Sequence, residues 1–210
     1  MMRYLYVKLP SVFVGLFALA LGMFIGVTTL AWFPAPRMRQ ERVFERRASI
    51  LPQLVQIVEI NSDGKSVDFG QSFNKEGDWL KETRFRIKNF SEKEIVFLEL
   101  RCDFPETTAS GNEMSFPIKI GRRPNVENQK SEAVSVKPGE EVTSALSGDT
   151  YEKLKKFIEH RQSILSISRV KVYVAFVIFG DGIAWNGTEY LKQDQNDPNR
   201  YINIGPVRPQ

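Results

Sequence analysis

Residues 83–104 read TRFRIKNFSEKEIVFLELRCDF, and this stretch decides the fold. Thr83, Phe85 and Ile87 alternate with Arg84, Arg86 and Lys88, the period of two expected of a strand with one face buried. Phe90-Ser91-Glu92-Lys93 forms a short polar connection, and Glu94 to Phe104 returns as a longer strand. There Val96, Leu98, Leu100, Cys102 and Phe104 share one face, opposite Glu99, Arg101 and Asp103. The two outward rows carry mixed charges that could pair across the strands for a few tenths of a kcal/mol, although such a row is usually just a solvated face.

The same period governs most of the chain from Gln53 onward. Gln53 to Ile60 is a first apolar strand, and Met114 to Ile120 is a weaker one between polar loops. Val134 to Val136 and Glu141 to Leu146 flank Lys137-Pro138-Gly139-Glu140, a turn in which proline fixes φ and glycine supplies a permissive position. Asp149-Thr150-Tyr151-Glu152 has the form of a capping box opening a helix over Thr150 to Arg161, with Tyr151, Leu154 and Ile158 as its apolar stripe. Ser166 to Phe179 is the longest strand. Val170, Val172, Val174, Phe176 and Ile178 line one face, and apolar residues on both faces of its second half predict cover on both sides. Gly180-Asp181-Gly182 turns it into a hairpin with Ile183-Ala184-Trp185. About seven short strands with polar turns and one helix predict an antiparallel two-sheet sandwich.

Three turns carry a resemblance. Lys88 to Ile95, Lys137 to Glu141 and Phe179 to Trp185 resemble the turn motifs of bacterial membrane-anchored immunoglobulin-like domains, a largely uncharacterised group. The resemblance implies a mainly β, immunoglobulin-like sandwich with one inserted helix, and it assigns no functional residue.

Ahead of the sandwich, 28 residues from Leu9 to Pro36 carry no charge. Pro10 and Pro34 bracket the 23 residues Ser11 to Phe33. At about 1.5 Å per helical residue such a segment spans roughly 34 Å, enough for a hydrocarbon core of about 30 Å. The expected organisation is a basic tail at 1–10, a transmembrane helix at 11–33 and a basic juxtamembrane linker at 34–52. A β-sandwich at 53–186 and an irregular tail at 187–210 complete it. A cleaved signal peptide is the competing reading, although the apolar run exceeds the usual core of about 7–15 residues. Gly15, Ala18, Gly22 and Gly26 form a small-residue seam that would allow a homodimer through the helix.

The chain has 29 Lys and Arg against 25 Asp and Glu, but the excess is not uniform. Arg37, Arg39, Arg42, Arg46 and Arg47 crowd the linker, where anionic lipid headgroups would attract them. From Ala48 to Gln210 there are 22 basic and 23 acidic residues, so nucleic acid is not an expected partner. Positive-inside counting favours a cytoplasmic C-terminus. The layout of short basic tail, single helix and β-domain favours an extracytoplasmic, periplasmic one, which is the expectation adopted.

One Cys and one His exclude a disulfide framework, a Cys/His zinc site and a type 1 copper site within one chain. Cys102 reads as a core residue and His160 as a charge at the helix C-terminus. Asp194, Asn196 and Asp197 lack EF-hand spacing. No catalytic, cofactor-binding or metal-binding residue is therefore expected, and the chain is not expected to be an enzyme. It reads as a single-pass membrane-anchored sandwich with a structural or protein-interaction role and an unidentified protein partner. The alternative is a cleaved, secreted ligand-binding module, with carbohydrate as a candidate ligand on Trp79, Trp185, Tyr190 and Tyr201. A carboxylate-based hydrolase would need two carboxylates about 5–10 Å apart in a cleft.

Overall fold

The computed structural model describes residues 40–47, 53–124, 126, 131–197 and 200–206. The expected transmembrane helix at 11–33, its small-residue seam at Gly15, Ala18, Gly22 and Gly26, and Arg37 and Arg39 lie outside the described residues. Among the described residues no helix is long and apolar enough to cross a membrane.

Among the described residues twelve strands and one α-helix follow in order: β1 (Glu41–Arg46), β2 (Val55–Ser62), β3 (Lys65–Val67), β4 (Ser72–Asn74), β5 (Thr83–Asn89), β6 (Ile95–Phe104), β7 (Met114–Gly121), β8 (Glu141–Leu146), α1 (Gly148–Glu159), β9 (Arg169–Phe179), β10 (Ile183–Trp185), β11 (Glu189–Gln193) and β12 (Tyr201–Pro206). They build two sheets. The smaller has the order β3-β2-β5-β8, so β5 and β6, despite the short link between them, fall in different sheets and the expected pairing of their outward charge rows does not form. In the larger, β9 is central: β6 and then β7 lie on one side, while β1-β4 and β10-β11-β12 share the other. The core between the sheets is lined by Val55, Ile57, Phe85 and Ile87 from one and Leu98, Leu100, Cys102, Val170, Val172 and Val174 from the other. The chain is thus mainly β, as a sandwich requires.

Helix α1 buries Tyr151, Leu154 and Ile158 against this core, and Phe157 packs its ring 5.7 Å from that of Phe116 on β7. Its start differs from the expected capping box. The N-cap is Ser147, in extended geometry and without a side-chain cap, and Asp149 falls in the first turn. There a carboxylate is stabilised by the positive end of the helix dipole.

Two expected boundaries are corrected. Residues 41–46, placed in the linker, form β1, which runs parallel to β9 with Val43 opposite Arg169 and Arg46 opposite Val172. Its alternation points Arg42 and Phe44 inward, both essentially inaccessible to solvent. Residues 187–210, read as irregular, contain β11 and β12, which extend the larger sheet beyond β10. Val134 to Val136, conversely, contributes just an isolated bridge, Val136 to Ile95.

A further correction concerns the faces of β6 and β9. Glu99 pairs with Phe176 and Leu100 with Val174, which leaves Ala175 as an extra residue. A second irregularity separates Ile95 and Phe97. Each bulge exchanges inside for outside. The inward row of β9 therefore continues as Val177 and Phe179, whereas Phe176 and Ile178 join an outer cluster with Phe97, Val96, Ala184, Leu191 and Tyr201. The predicted two-sided cover of β9 exists, and the segment expected to be an irregular tail helps provide it.

Gly121 closes β7 at φ +85°, and an added Cβ would press on Val134 Cγ1 and lie 2.5 Å from Val96 O. Strain of a non-glycine residue at positive φ and overpacking together set the expected loss for Gly121→Ala at about 2 kcal/mol. Urea denaturation checks it, and a variant as stable as the parent would show that this end of β7 relaxes freely.

Candidate functional site

Both outer sheet faces carry ion pairs, and on the larger sheet Lys171 meets Glu113 at 3.4 Å and Arg169 meets Glu45 at 4.0 Å. On the smaller sheet, Arg86 bridges Glu59 and Glu141, and Lys88 adds a contact to Glu141 at 3.6 Å, so cations and carboxylates pair across β2, β5 and β8. A shallow depression of about 490 Å³ on this face is lined by Glu59, Asp63 and Glu82 together with Arg84 and Arg86. Hydrolysis by paired carboxylates requires one of them to be held protonated at neutral pH. Here Glu59 is tied up in an ion pair with Arg86 instead.

On the larger sheet a recess of about 420 Å³ opens where the outer apolar cluster ends. Its floor is Phe97, Tyr173, Ala175 and Phe176, and the Ala175 bulge places a small side chain there. Around it stand Arg47, Arg101, Lys119 and Arg123, with Glu99 as the lining carboxylate and Asn186 at the rim. These cations come from the end of β1, from β6, from β7 and from just beyond β7, so the fold gathers residues that are dispersed in the sequence.

Several of these groups are held in place. The Arg47 guanidinium lies 4.6 Å from the centroid of the Tyr173 ring, and Arg123 lies over Phe176 and Tyr201 at 5.6 and 5.2 Å. Stacking of this kind orients a planar guanidinium while leaving its edge available. Arg101 Nε donates to Glu99 Oε1 at 3.0 Å. Burial pulls the Arg101 pKa down, but Glu99, Tyr173 and Asp103 outweigh it and hold the group above its ordinary value. Burial, with help from Asp103 and against Arg47, raises the Tyr173 phenol, which therefore stays neutral and polar at the recess floor. Lys119 makes no ion pair or hydrogen bond with any described residue. Asn186 spends its amide oxygen on Thr188 N, Thr188 Oγ1 and Glu189 N.

The residues singled out from sequence fall elsewhere. Cys102 is fully buried, and burial pushes its thiol well above the ordinary range, so it packs and does not react. His160 is exposed at the end of α1. Trp79 and Trp185 are core residues, which removes two of the four aromatics proposed for a sugar surface. Tyr190 packs partly buried against the core, and Tyr201 meets the Phe176 ring edge to face at 5.2 Å. Asp194 accepts from Asn196 N, consistent with a turn, and among the described residues no group of three or more His, Cys, Asp or Glu side chains could hold a metal ion.

The arginine collar is also redistributed. Arg42 is buried, so it cannot reach a lipid headgroup. Arg46 lies over Phe69 at 4.5 Å, and Arg47 turns into the recess. In the sequence Arg101 falls in the outward, ordinarily solvated row of β6 with Glu99 and Asp103, and nothing there marks Lys119 or Arg123. Strand alternation placed Arg101 outward, but the convergence needed the β6-β7 register, with Glu99 opposite Lys119. Comparison of the chain with protein-family models, curated proteins and solved structures finds no match.

Proposed function

We propose that this chain is a single-pass membrane protein, anchored through residues 11–33, whose immunoglobulin-like domain faces the periplasm. It acts there as a protein-interaction module and not as an enzyme. The strand arrangement supports the immunoglobulin-like reading: β2, β5 and β8 take the places of strands A, B and E, and β7, β6, β9 and β10 those of C′, C, F and G. Helix α1 and strands β1, β11 and β12 are additions to that plan. The observation that carries the binding role is the recess on the outer face of the larger sheet, where Arg47 and Lys119 stand beside an aromatic floor and form no ion pair with a described residue, unlike Arg86 and Lys88 on the opposite face. The uncharged stretch from Leu9 to Pro36 supports the anchor.

Two measurements test this. A reporter active only after export, fused behind Gln210, is expected to be active, and activity of a cytoplasmic reporter alone would overturn the topology. The chain purified from membranes is expected to keep its full 24.1 kDa, whereas a mature N-terminus near Trp32 would replace the anchor by a cleaved signal. For the binding role, a photo-crosslinking residue at Asn186 should give a discrete adduct in native membranes that one at Arg84 does not. Identical patterns at both sites would remove the outer face of the larger sheet as the contact surface.

A further inference from the structure

We propose that the recess formed by Arg47, Arg101, Lys119 and Arg123 takes an acidic peptide segment, with Asp or Glu carboxylates engaging the cations and apolar side chains resting on Phe97, Ala175 and Phe176. This rests on the reading of the domain as an interaction module and specifies the chemistry of its partner.

The charge argument is one of contrast. From Ala48 onward the chain is almost balanced, with 22 basic and 23 acidic residues, yet the recess is lined by four cations and one carboxylate. A solvated strand face neutralises itself by cross-strand pairs, as Arg86 and Lys88 do on the other sheet. Arg47 and Lys119 form no ion pair with a described residue, and Glu99, which lies opposite Lys119, is engaged by Arg101 instead. Held over Tyr173, Arg47 loses less side-chain freedom on binding an anion than a free arginine would. Its planar fork matches a carboxylate.

Size and sign pattern narrow the class. A recess of about 420 Å³ holds a few side chains, within the usual range of small binding sites. Glu99 lines it and Asp103 lies on the same face of β6, so an uninterrupted row of phosphates would meet carboxylates as well as cations. On an extended peptide successive side chains point to opposite sides, so the carboxylates facing the recess stand about 7 Å apart and avoid that repulsion, even in a run of glutamates. The outer position of β7 would suit an added strand, but Pro117 has no N–H to offer one, so the segment lies across the face.

The test uses the full chain in nanodiscs of zwitterionic lipid, with fluorescein-labelled hexaglutamate as probe and hexaglutamine as control, read by fluorescence anisotropy. Hexaglutamate should bind at least about tenfold more tightly than hexaglutamine and weaken with added salt. Lys119→Glu should weaken it by about tenfold, and the double variant with Arg47→Glu by more. Arg84→Glu, on the opposite sheet, should leave it within about twofold. Near-ultraviolet circular dichroism confirms that each variant is folded, and Lys119→Gln, which removes charge without reversing it, serves if the reversal disturbs the sheet. Equal binding of the two peptides, or equal weakening by Lys119→Glu and Arg84→Glu, overturns the proposal. So does Lys119-dependent binding to phosphatidylglycerol vesicles with no response to hexaglutamate, which would assign the recess to a headgroup. These failures leave the topology reporter and the Asn186 crosslink unaffected, so the broader reading stands or falls separately.

Discussion

Arg42→Ala is expected to destabilise the sandwich by about 3–5 kcal/mol, far more than removal of a solvated arginine. The guanidinium is spent almost entirely on backbone: Nη1 donates to Ile167 O, Nη2 to Leu165 O at 3.0 Å, and Nε to Lys75 O at 3.3 Å. Nη2 also donates to Gln40 Oε1 at 2.7 Å, and the group lies 5.4 Å from the centroid of the Trp79 ring. Trp79 in turn donates to Ile167 O at 2.8 Å, so one carbonyl serves both side chains. Burial lowers the Arg42 pKa, against a smaller upward pull from Glu106, but arginine starts too high to lose its proton at neutral pH. Truncation would leave these carbonyls without their charged donor and open a cavity beside Phe44 and Trp79. Arg42→Lys should fall between parent and alanine, because a point charge cannot span three carbonyls. Chemical denaturation of the full chain measures these losses. A loss for Arg42→Ala under about 0.5 kcal/mol would return Arg42 to the solvated surface class.

Arg42 also shows where sequence reading reached its limit. The alternation of β5, β6 and the first half of β9 was legible because apolar and charged residues occupy opposite faces there. In β1 the sequence ERVFER places an arginine at an inward position, so hydrophobic patterning marks it as linker. The β9 bulge was illegible for another reason: Val174, Phe176 and Ile178 continue a perfect period of two, and the register against β6 breaks it at Ala175. Strands β11 and β12 are short and turn-rich in composition, and they exist because Tyr190, Leu191 and Tyr201 find partners on a sheet already formed. The recess was less legible still. Its four cations each lie in an ordinary polar position, and just the pairing of β1, β6, β7 and β9 brings them together.

The turns read from sequence, by contrast, prove to be physically connected, and Asn89 is the residue that joins them. Its N–H donates to Glu140 O at 3.0 Å, and its carbonyl accepts from Gly139 N at 2.8 Å, which ties the end of β5 to the Lys137-Pro138-Gly139-Glu140 turn. Its amide nitrogen donates to Lys93 O at 2.8 Å and to Val136 O at 2.9 Å, while its amide oxygen accepts from Ser91 N and Ser91 Oγ. The third turn joins the same end, through Gly180 N to Glu94 O at 2.9 Å and Lys93 Nζ to Asp181 Oδ2 at 2.5 Å. Asn89 is fully buried, so no solvent compensates for a lost bond. Asn89→Ala should cost about 2–4 kcal/mol. Asn89→Asp should cost at least as much at neutral pH, because a carboxylate would face the Lys93 and Val136 carbonyls where two donors now stand.

The aspartate variant also carries a sign. Burial against carbonyl oxygens disfavours the ionised form, so the new carboxyl would titrate in the folded state above its unfolded value of about 3.9. Below that unfolded value the acid is neutral in both states, and its hydroxyl can still donate to one carbonyl. As pH rises toward the folded value, the unfolded chain releases a proton that the folded chain retains, and stability falls. Melting temperatures of Asn89→Asp measured relative to the parent should therefore rise on acidification from pH 7 to pH 5, whereas Asn89→Ala should keep a constant offset. A flat or opposite trend for the aspartate variant would mean that its side chain escapes to water, and with it the claim that Asn89 holds the three turns together.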